Sequence, residues 1–144
     1  MEDIGLNDIQ INRQLNRNFF LQYFNNKLMP YNQDTEIFTF KIVKSIENMN
    51  FWIVIGFSGN RITYIELENA DENLTNDYTN WSNYKVQKKK ESHDKWVKKL
   101  LGEPDETSNG NLRYDFNWGI VSSYLDPRSG TAAISIRYKY SENN

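Results

Sequence analysis

His93 is the side chain of this sequence that is best suited to catalysis, because histidine exchanges protons near neutral pH. It is the only histidine in the chain, and its neighbour in sequence is the carboxylate of Asp94. Adjacent residues on a helix do not face each other, so these two groups do not form a catalytic pair there. The pattern favours a structural role for His93 beside Trp96 and gives no support for general acid–base catalysis.

Acidic residues are the second group that could do chemistry. They lie in two clusters, formed by Asp71, Glu72 and Asp77 and by Glu103, Asp105 and Glu106. A glycosidase needs two carboxylates that face each other across a cleft, and nothing in this spacing predicts such a pair. The segment 105–111 lacks the regular oxygen ligands and the closing glutamate of an EF-hand. With one histidine and no cysteine, a zinc site is not expected, and we predict no metal and no other cofactor.

A run of lysines next to aromatic residues could bind nucleic acid by charge and stacking. The run consists of Lys85, Lys88, Lys89 and Lys90, near Trp81 and Tyr84. However, the chain has 17 basic and 19 acidic residues and a net charge of -2, whereas nucleic-acid binding needs a basic face. We therefore interpret the lysines as a solvated segment and expect no contact with nucleic acid.

Length and composition limit the class of protein. The 144 residues are the size of one domain, 1–144, and the absence of cysteine fits a reducing compartment. The N-terminus has neither a basic region nor an apolar run, so no signal peptide is expected. The longest apolar run, 51–57, is far too short to cross a bilayer. We expect a cytoplasmic protein without membrane contact, and the frequent asparagine and lysine indicate an AT-rich bacterial genome.

The first half of the chain is predicted to contain one helix and three strands. Apolar residues recur at helical spacing over 8–28, and Pro30 ends that helix. Strands follow at 36–44, 51–57 and 61–68. The middle strand is apolar on both faces, which predicts a strand covered on both sides of the sheet.

The second half begins with a helix predicted over 92–101. Ser92 is a suitable N-cap, Trp96 and Leu100 lie on the apolar stripe, and Gly102 suits the left-handed residue that ends a helix. Three strands with strict alternation follow. Their predicted buried residues are Leu112, Tyr114, Phe116, Trp118, Ile134, Ile136 and Tyr138.

This order of elements predicts the fold class. Strands joined by tight turns pair antiparallel, and helices that precede runs of strands indicate an α+β protein with helices packed on one face of the sheet. The order also allows two helix-then-three-strand units in tandem, 7–68 and 92–140, joined by a loop over 69–91.

Recognition of another protein is the function that these elements suit best. Aromatic and arginine side chains carry most of the energy of protein interfaces. The polar face of the last strands and the central loop present such residues where burial in the monomer is not expected. We predict that a partner is bound by Trp81, Tyr84, Arg113, Asp115 and Arg137.

The helix–sheet–helix–sheet order resembles the tandem architecture of the β-lactamase inhibitor protein family. In this small, asparagine-rich, cysteine-free acidic chain, residues 96–101, the Gly-Glu-Pro at 102–104 and the Tyr-Asp-Phe-Asn-Trp-Gly at 114–119 also resemble immunity proteins of bacterial polymorphic toxin systems. The resemblance implies a stoichiometric inhibitor that binds a cognate toxin in the cytoplasm of the producing cell, and it assigns no binding residue. The sequence predicts neither the identity of the partner nor the oligomeric state.

Two other interpretations stay open. The first is a small-ligand-binding domain with a cleft between helix and sheet that Tyr and Trp line. The second is an enzyme, which would place two titratable groups in one pocket.

Overall fold

The computed structural model describes residues 1–6, 9–74 and 82–140, and these residues form two α-helices and ten strands. The helices are α1, Arg17–Phe24, and α2, Asn83–Leu101. Short 3-10 helices follow at Asn25–Lys27 and Glu72–Leu74. The strands are β1 Ile4–Leu6, β2 Ile9–Ile11, β3 Ile37–Thr39, β4 Lys44–Ile46, β5 Met49–Ser58, β6 Arg61–Asn69, β7 Glu106–Ser108, β8 Asn111–Phe116, β9 Gly119–Asp126 and β10 Thr131–Tyr138.

Eight of these strands form one antiparallel sheet. Its order is β3-β5-β6-β10-β9-β8-β7, and β4 pairs with the first part of β5. The strands that follow α1 and those that follow α2 each form an antiparallel run, and the two runs meet where β6 pairs with β10. The predicted α+β class with an antiparallel sheet is therefore confirmed. The interpretation of the two runs as repeated units stays a prediction.

The strand register assigns each side chain to one face, because paired residues of neighbouring strands project on the same side. One face carries two apolar rows. The first row is Ile53, Leu67, Ile134, Ser123 and Leu112, and the second is Phe38, Ile55, Ile65, Ile136, Val121 and Tyr114. All eleven are buried. The residues that the sequence predicts as buried in β8 and β10 are buried, except that Phe116 is only partly so. In β10, however, Ala133 and Ser135 on the opposite face are buried as well.

Both helices cover this same face. Phe20 of α1 packs its ring against Phe38 and Phe57, with centroids 5.6 and 5.2 Å apart. Trp96 of α2 meets Phe51 edge-on at 5.0 Å. Aromatic contacts of this geometry add to the free energy that burial contributes. The opposite face of the sheet has no helix on it among the described residues.

The first helix is shorter than predicted. Residues 9–11 belong to the β1–β2 hairpin, and α1 begins only after Asn16, whose side chain accepts a hydrogen bond from the Phe19 amide at 2.8 Å. Ile9 and Ile11 alternate with a polar residue, and this strand period prevails over the helical spacing that starts farther along the chain. Phe19, one of the apolar residues at helical spacing in the predicted helix 8–28, is 45% exposed.

The second helix is longer than predicted, and the loop assigned to 69–91 is correspondingly wrong. Helix α2 begins at Asn83 with Ser82 as N-cap, so Ser92 lies inside it, where its hydroxyl donates to the Lys89 carbonyl at 2.6 Å. The prediction missed nine residues because two of the inward-facing positions are lysines. Lys89 and Lys90 are buried and pair with Glu68 and Asp94, so they are not a solvated segment.

The C-terminal end of α2 follows the prediction more closely. Gly102 ends the helix with φ +84°, and its amide donates to the Lys98 carbonyl at 2.8 Å. Trp96 is buried, as predicted, but Leu100 is 38% exposed and does not belong to the core. In the described part of the chain, neither helix combines the length and the apolar character needed to cross a membrane.

Candidate protein-binding surface

The face of the sheet opposite the helices, which we call the open face, carries the candidate site. Strand β5 was predicted to be covered on both sides, and this is wrong. Its residues Phe51, Ile53 and Ile55 lie under the helices, whereas Trp52 on the open face is 41% exposed and Val54 is half-buried. The described residues supply a helix layer to one face only, and the second apolar face of β5 is accessible at Trp52.

The register places most of the other open-face residues in two rows that cross the sheet. The central row is Ile37, Gly56, Tyr64, Arg137, Ile120 and Asp115. The neighbouring row is Thr39, Val54, Glu66, Ser135, Ser122, Arg113 and Glu106. The end of the face at β3 and β5 is therefore mainly apolar, and the end at β7 to β10 is polar and charged.

Tyr64 and Arg137 form a stack at the centre of the open face. A Cβ atom at Gly56 would lie 2.1 Å from a carbon of the Tyr64 ring, so the ring occupies space that only glycine leaves free. The guanidinium carbon of Arg137 lies 5.2 Å from the centroid of the same ring, within the range of a cation–π interaction. Burial, together with the nearby Glu66 carboxylate, raises the pKa of Tyr64 above its ordinary value.

Tyr124 holds the carboxylate of Glu66 beside this stack. Its hydroxyl donates a hydrogen bond to Glu66 Oε1. Burial is the largest cause of a strongly raised pKa of Tyr124, and the hydrogen bond to Glu66 adds to it. Tyr124 is therefore a neutral donor across the physiological pH range, and Glu66 already has a partner within the chain.

A depression of about 370 Å³ lies at the polar end of the open face. Its lining includes Arg113, Ser122, Tyr124, Ser135 and Arg137. The volume falls within the roughly 300–1,000 Å³ of ordinary ligand sites.

The two arginines of this depression differ in their surroundings. Arg113 binds Glu106 at 2.6 Å and Asp115 at 3.2 Å, and its bonds with Asp115 are the main cause of its raised pKa. Arg137 makes no ion pair within the part of the chain that the structure describes.

The structure brings together three of the five residues that the sequence predicts for partner binding. Arg113, Asp115 and Arg137 all lie on the open face. Tyr84 is 69% exposed, but it lies in the first turn of α2 on the helix side of the sheet, where Lys88 sits 5.4 Å from its ring. Trp81 lies outside the described residues.

Sequence reasoning missed three residues of this surface, namely Ile37, Trp52 and Tyr64. The signal for Trp52 was present, because β5 is apolar on both faces. The missing information was which face the helices cover, and that depends on contacts between distant segments.

His93 does not belong to any accessible site. It lies on the inward side of α2 and is fully buried, and its Nε2 accepts a hydrogen bond from the Asn69 amide at 2.9 Å. Its Nδ1 is buried without a hydrogen-bond partner. Burial, followed by the charges of Lys89 and Lys90, lowers the pKa of His93 to about 3. A substrate cannot reach this ring, so His93 has the structural role that the sequence favoured.

Two other depressions are less suited to a specific ligand. One, of about 580 Å³ beside α2, is lined in part by the paired charges of Lys90 and Asp94 and has no aromatic ring. The other, of about 180 Å³, lies at the end of α2 next to Trp96, and it is smaller than ordinary ligand sites. Among the described residues, no group of three or more His, Asp or Glu side chains could hold a metal ion.

Comparison of the chain with protein-family models, with curated proteins and with solved structures finds no significant match. We therefore infer its function from its own residues and their geometry.

Proposed function

We propose that this chain is a non-enzymatic protein-binding protein that contacts its partner through the open face. The observation that carries the proposal is the apolar end of this face, where Trp52 is 41% exposed and Ile37 is 58% exposed beside half-buried Val54. A tryptophan buries up to about 250 Å², so covering the exposed part of Trp52, which is 41% of that side chain, would contribute up to about 2.5 kcal/mol to binding.

The layout of the open face supports the proposal. Protein interfaces combine an apolar centre rich in aromatic residues with polar and arginine-containing surroundings. Seven strands lie side by side from β3 to β7, and at about 4.8 Å between neighbours they span roughly 29 Å. A round patch of the roughly 800 Å² that one partner contributes to a standard interface is about 32 Å across.

A narrower proposal concerns the kind of partner. We propose that the chain is an immunity-type inhibitor that neutralises a toxin by stoichiometric binding in the cytoplasm of the bacterium that produces both proteins. This narrower proposal rests on a resemblance to such inhibitors. The resemblance concerns the order of helices and strands and the segments 96–104 and 114–119. The small-ligand-binding alternative stays a prediction with its own test below.

Site-specific photo-crosslinking tests the proposal. p-Benzoylphenylalanine replaces Trp52 on the open face in one variant and Tyr84 on the helix layer in the other, and both are irradiated in lysate of the native host. We expect a specific adduct from position 52 and none from position 84. The captured protein, once purified, should bind the wild type at a ratio of 1:1 in calorimetry and bind W52A at least about tenfold more weakly.

The outcomes separate the classes of function. If neither position yields an adduct, or if only position 84 does, the open face is not the binding surface. A host metabolite that raises the melting temperature of the pure protein, with no adduct at position 52, would favour the small-ligand alternative. For the immunity form, the captured protein should stop bacterial growth when expressed alone, and coexpression of the wild type should restore growth.

A further inference from the structure

Arg137 differs from the other charged side chains within the paired strands of the open face, because those side chains already have partners within the chain. Glu68 pairs with Lys89 at 2.6 Å, Glu66 accepts the hydrogen bond of Tyr124, and Arg113 binds both Glu106 and Asp115. Arg137 is exposed and lies in the central row. Within the described residues, its guanidinium meets the Tyr64 ring and makes no ion pair.

The stack on Tyr64 holds this guanidinium in place before any partner arrives. Gly56 leaves the space that the ring occupies, and the ring supports the guanidinium from one side. A free arginine side chain loses considerable rotamer entropy when it binds, and a prepositioned one loses less. The group also has five N–H donors in a planar fork, which matches the two oxygens of a carboxylate.

The charges around Arg137 restrict the class of anion that it can bind. The strand register places five carboxylates on the open face, Glu66, Glu68, Glu106, Asp115 and Asp126, and two arginines, Arg113 and Arg137. A nucleic-acid strand or an anionic membrane brings many negative charges, which these carboxylates would repel. A single carboxylate on a surface that is otherwise neutral or basic meets a guanidinium that makes no ion pair within the described residues, and it experiences far less of that repulsion.

We propose that Arg137, stacked on Tyr64, is the anchor of the open face and binds one aspartate or glutamate side chain of the partner protein. This inference rests on the proposed protein-binding function and adds the chemistry of the contact. Arg137 is thus the residue that determines which partner surface fits, and Trp52 contributes apolar area beside it.

Titration of charge variants is the first test, with the protein captured through position 52 as the probe. R137Q should bind it at least about 30-fold more weakly, which is the loss expected for a central arginine anchor. R137K should lose about tenfold, because lysine has neither the planar fork nor the stacking surface of arginine. R128Q is the matched control: it removes the same charge from a side chain that is 92% exposed in the β9–β10 turn, and its affinity should stay within about threefold of the wild type.

Zero-length crosslinking is the second test, and it identifies the group that Arg137 meets. A carbodiimide couples an amine to a carboxylate with loss of water, so R137K should give an amide with an aspartate or glutamate of the captured protein. Peptide mapping by mass spectrometry identifies both residues, and R128K should give no such product. Circular dichroism should show R137Q and R137K to be folded like the wild type.

The results that would overturn the inference differ from those that would overturn the proposed function. If the adduct forms at position 52 but R137Q binds within about threefold of the wild type, Arg137 is not the anchor, although the open face is still the binding surface. The inference would also be overturned if the carbodiimide joins R137K to the captured protein only through the exposed lysines of α2. If no adduct forms at position 52, both proposals fail together.

Discussion

Acid should destabilise this protein through His93, and the size of the effect follows from the structure. The ring is fully buried, one of its nitrogens has no partner, and the charges of Lys89 and Lys90 lie nearby. These conditions oppose protonation and lower the pKa of His93 from 6.5 to about 3. When the chain unfolds, the ring enters water and its pKa returns to its ordinary value.

The sign and magnitude of this acid effect come from the difference between the numbers of protons that the unfolded and the folded protein bind. Between about pH 3 and 6.5 the unfolded chain binds one more proton at His93 than the folded protein does, so the free energy of unfolding rises with pH across this window. The contribution is complete above pH 6.5 and is lost as the pH falls toward 3. At pH 5, which is 1.5 units below 6.5, the loss at about 1.36 kcal/mol per unit is about 2 kcal/mol.

Urea unfolding of the wild type and of H93Q measures this loss. The chain has four tryptophans, so fluorescence reports the transition. Glutamine retains an acceptor for the Asn69 amide but does not titrate. H93Q should be less stable than the wild type at pH 8. The difference between their free energies of unfolding should be smaller by about 2 kcal/mol at pH 5. Carboxylates titrate in both proteins, so their contribution cancels in the comparison.

Two observations would refute this reasoning. The first is a gap between wild type and H93Q that stays constant from pH 8 to pH 5. The second is an NMR titration in which the ring protons of His93 in the folded protein shift with a midpoint near 6.5. Either result would mean that the ring is accessible to water, contrary to its complete burial.

Three comparisons between variants test the packing around α2 and the sheet. W96A should lower the free energy of unfolding by about 3–5 kcal/mol, because Trp96 is 6% exposed and packs on Phe51; a loss below about 1 kcal/mol in urea titration would contradict this. G119A should destabilise more than G56A, because the new Cβ would lie 2.3 Å from the Arg137 carbonyl oxygen, whereas at Gly56 it would meet the Tyr64 side chain, which can move; equal melting temperatures would argue against the difference. D94N should lower the free energy of unfolding by about 3 kcal/mol, because Asp94 binds buried Lys90 at 2.7 Å and Ser123 at 2.6 Å. The double variant D94N/K90M should recover part of that loss. If the losses of the two single variants simply add in the double variant, the two side chains are not coupled as a pair.

The parts of the fold that depend on neighbours in sequence were predictable. Strict alternation in β8 and β10 identified Leu112, Tyr114, Ile134 and Ile136 as buried, because side chains of a strand change face at every residue. Gly102 identified the end of α2, because few other residues adopt a left-handed conformation without strain. The two apolar faces of β5 were also visible in the sequence.

The start of α2 depended on the tertiary structure. Lys89 and Lys90 occupy inward-facing positions only because Glu68 and Asp94 compensate their charges. Glu68 belongs to β6 and lies 21 residues before Lys89 in the sequence. A helical pattern interrupted by two lysines predicts a polar segment, and no local signal shows that the distant carboxylate of Glu68 binds Lys89.

The open face likewise formed through contacts between distant residues. The sequence alone determined that β5 is apolar on both sides and that Arg137 lies on the polar face of its strand. Only the pairing of β6 with β10 places Tyr64 under Arg137, and only the packing of both helices on one face leaves Trp52 accessible. The physical reason is that periodicity reports the direction of a side chain relative to its own strand or helix, whereas its neighbours depend on the combined free energy of pairing and packing over the whole sheet.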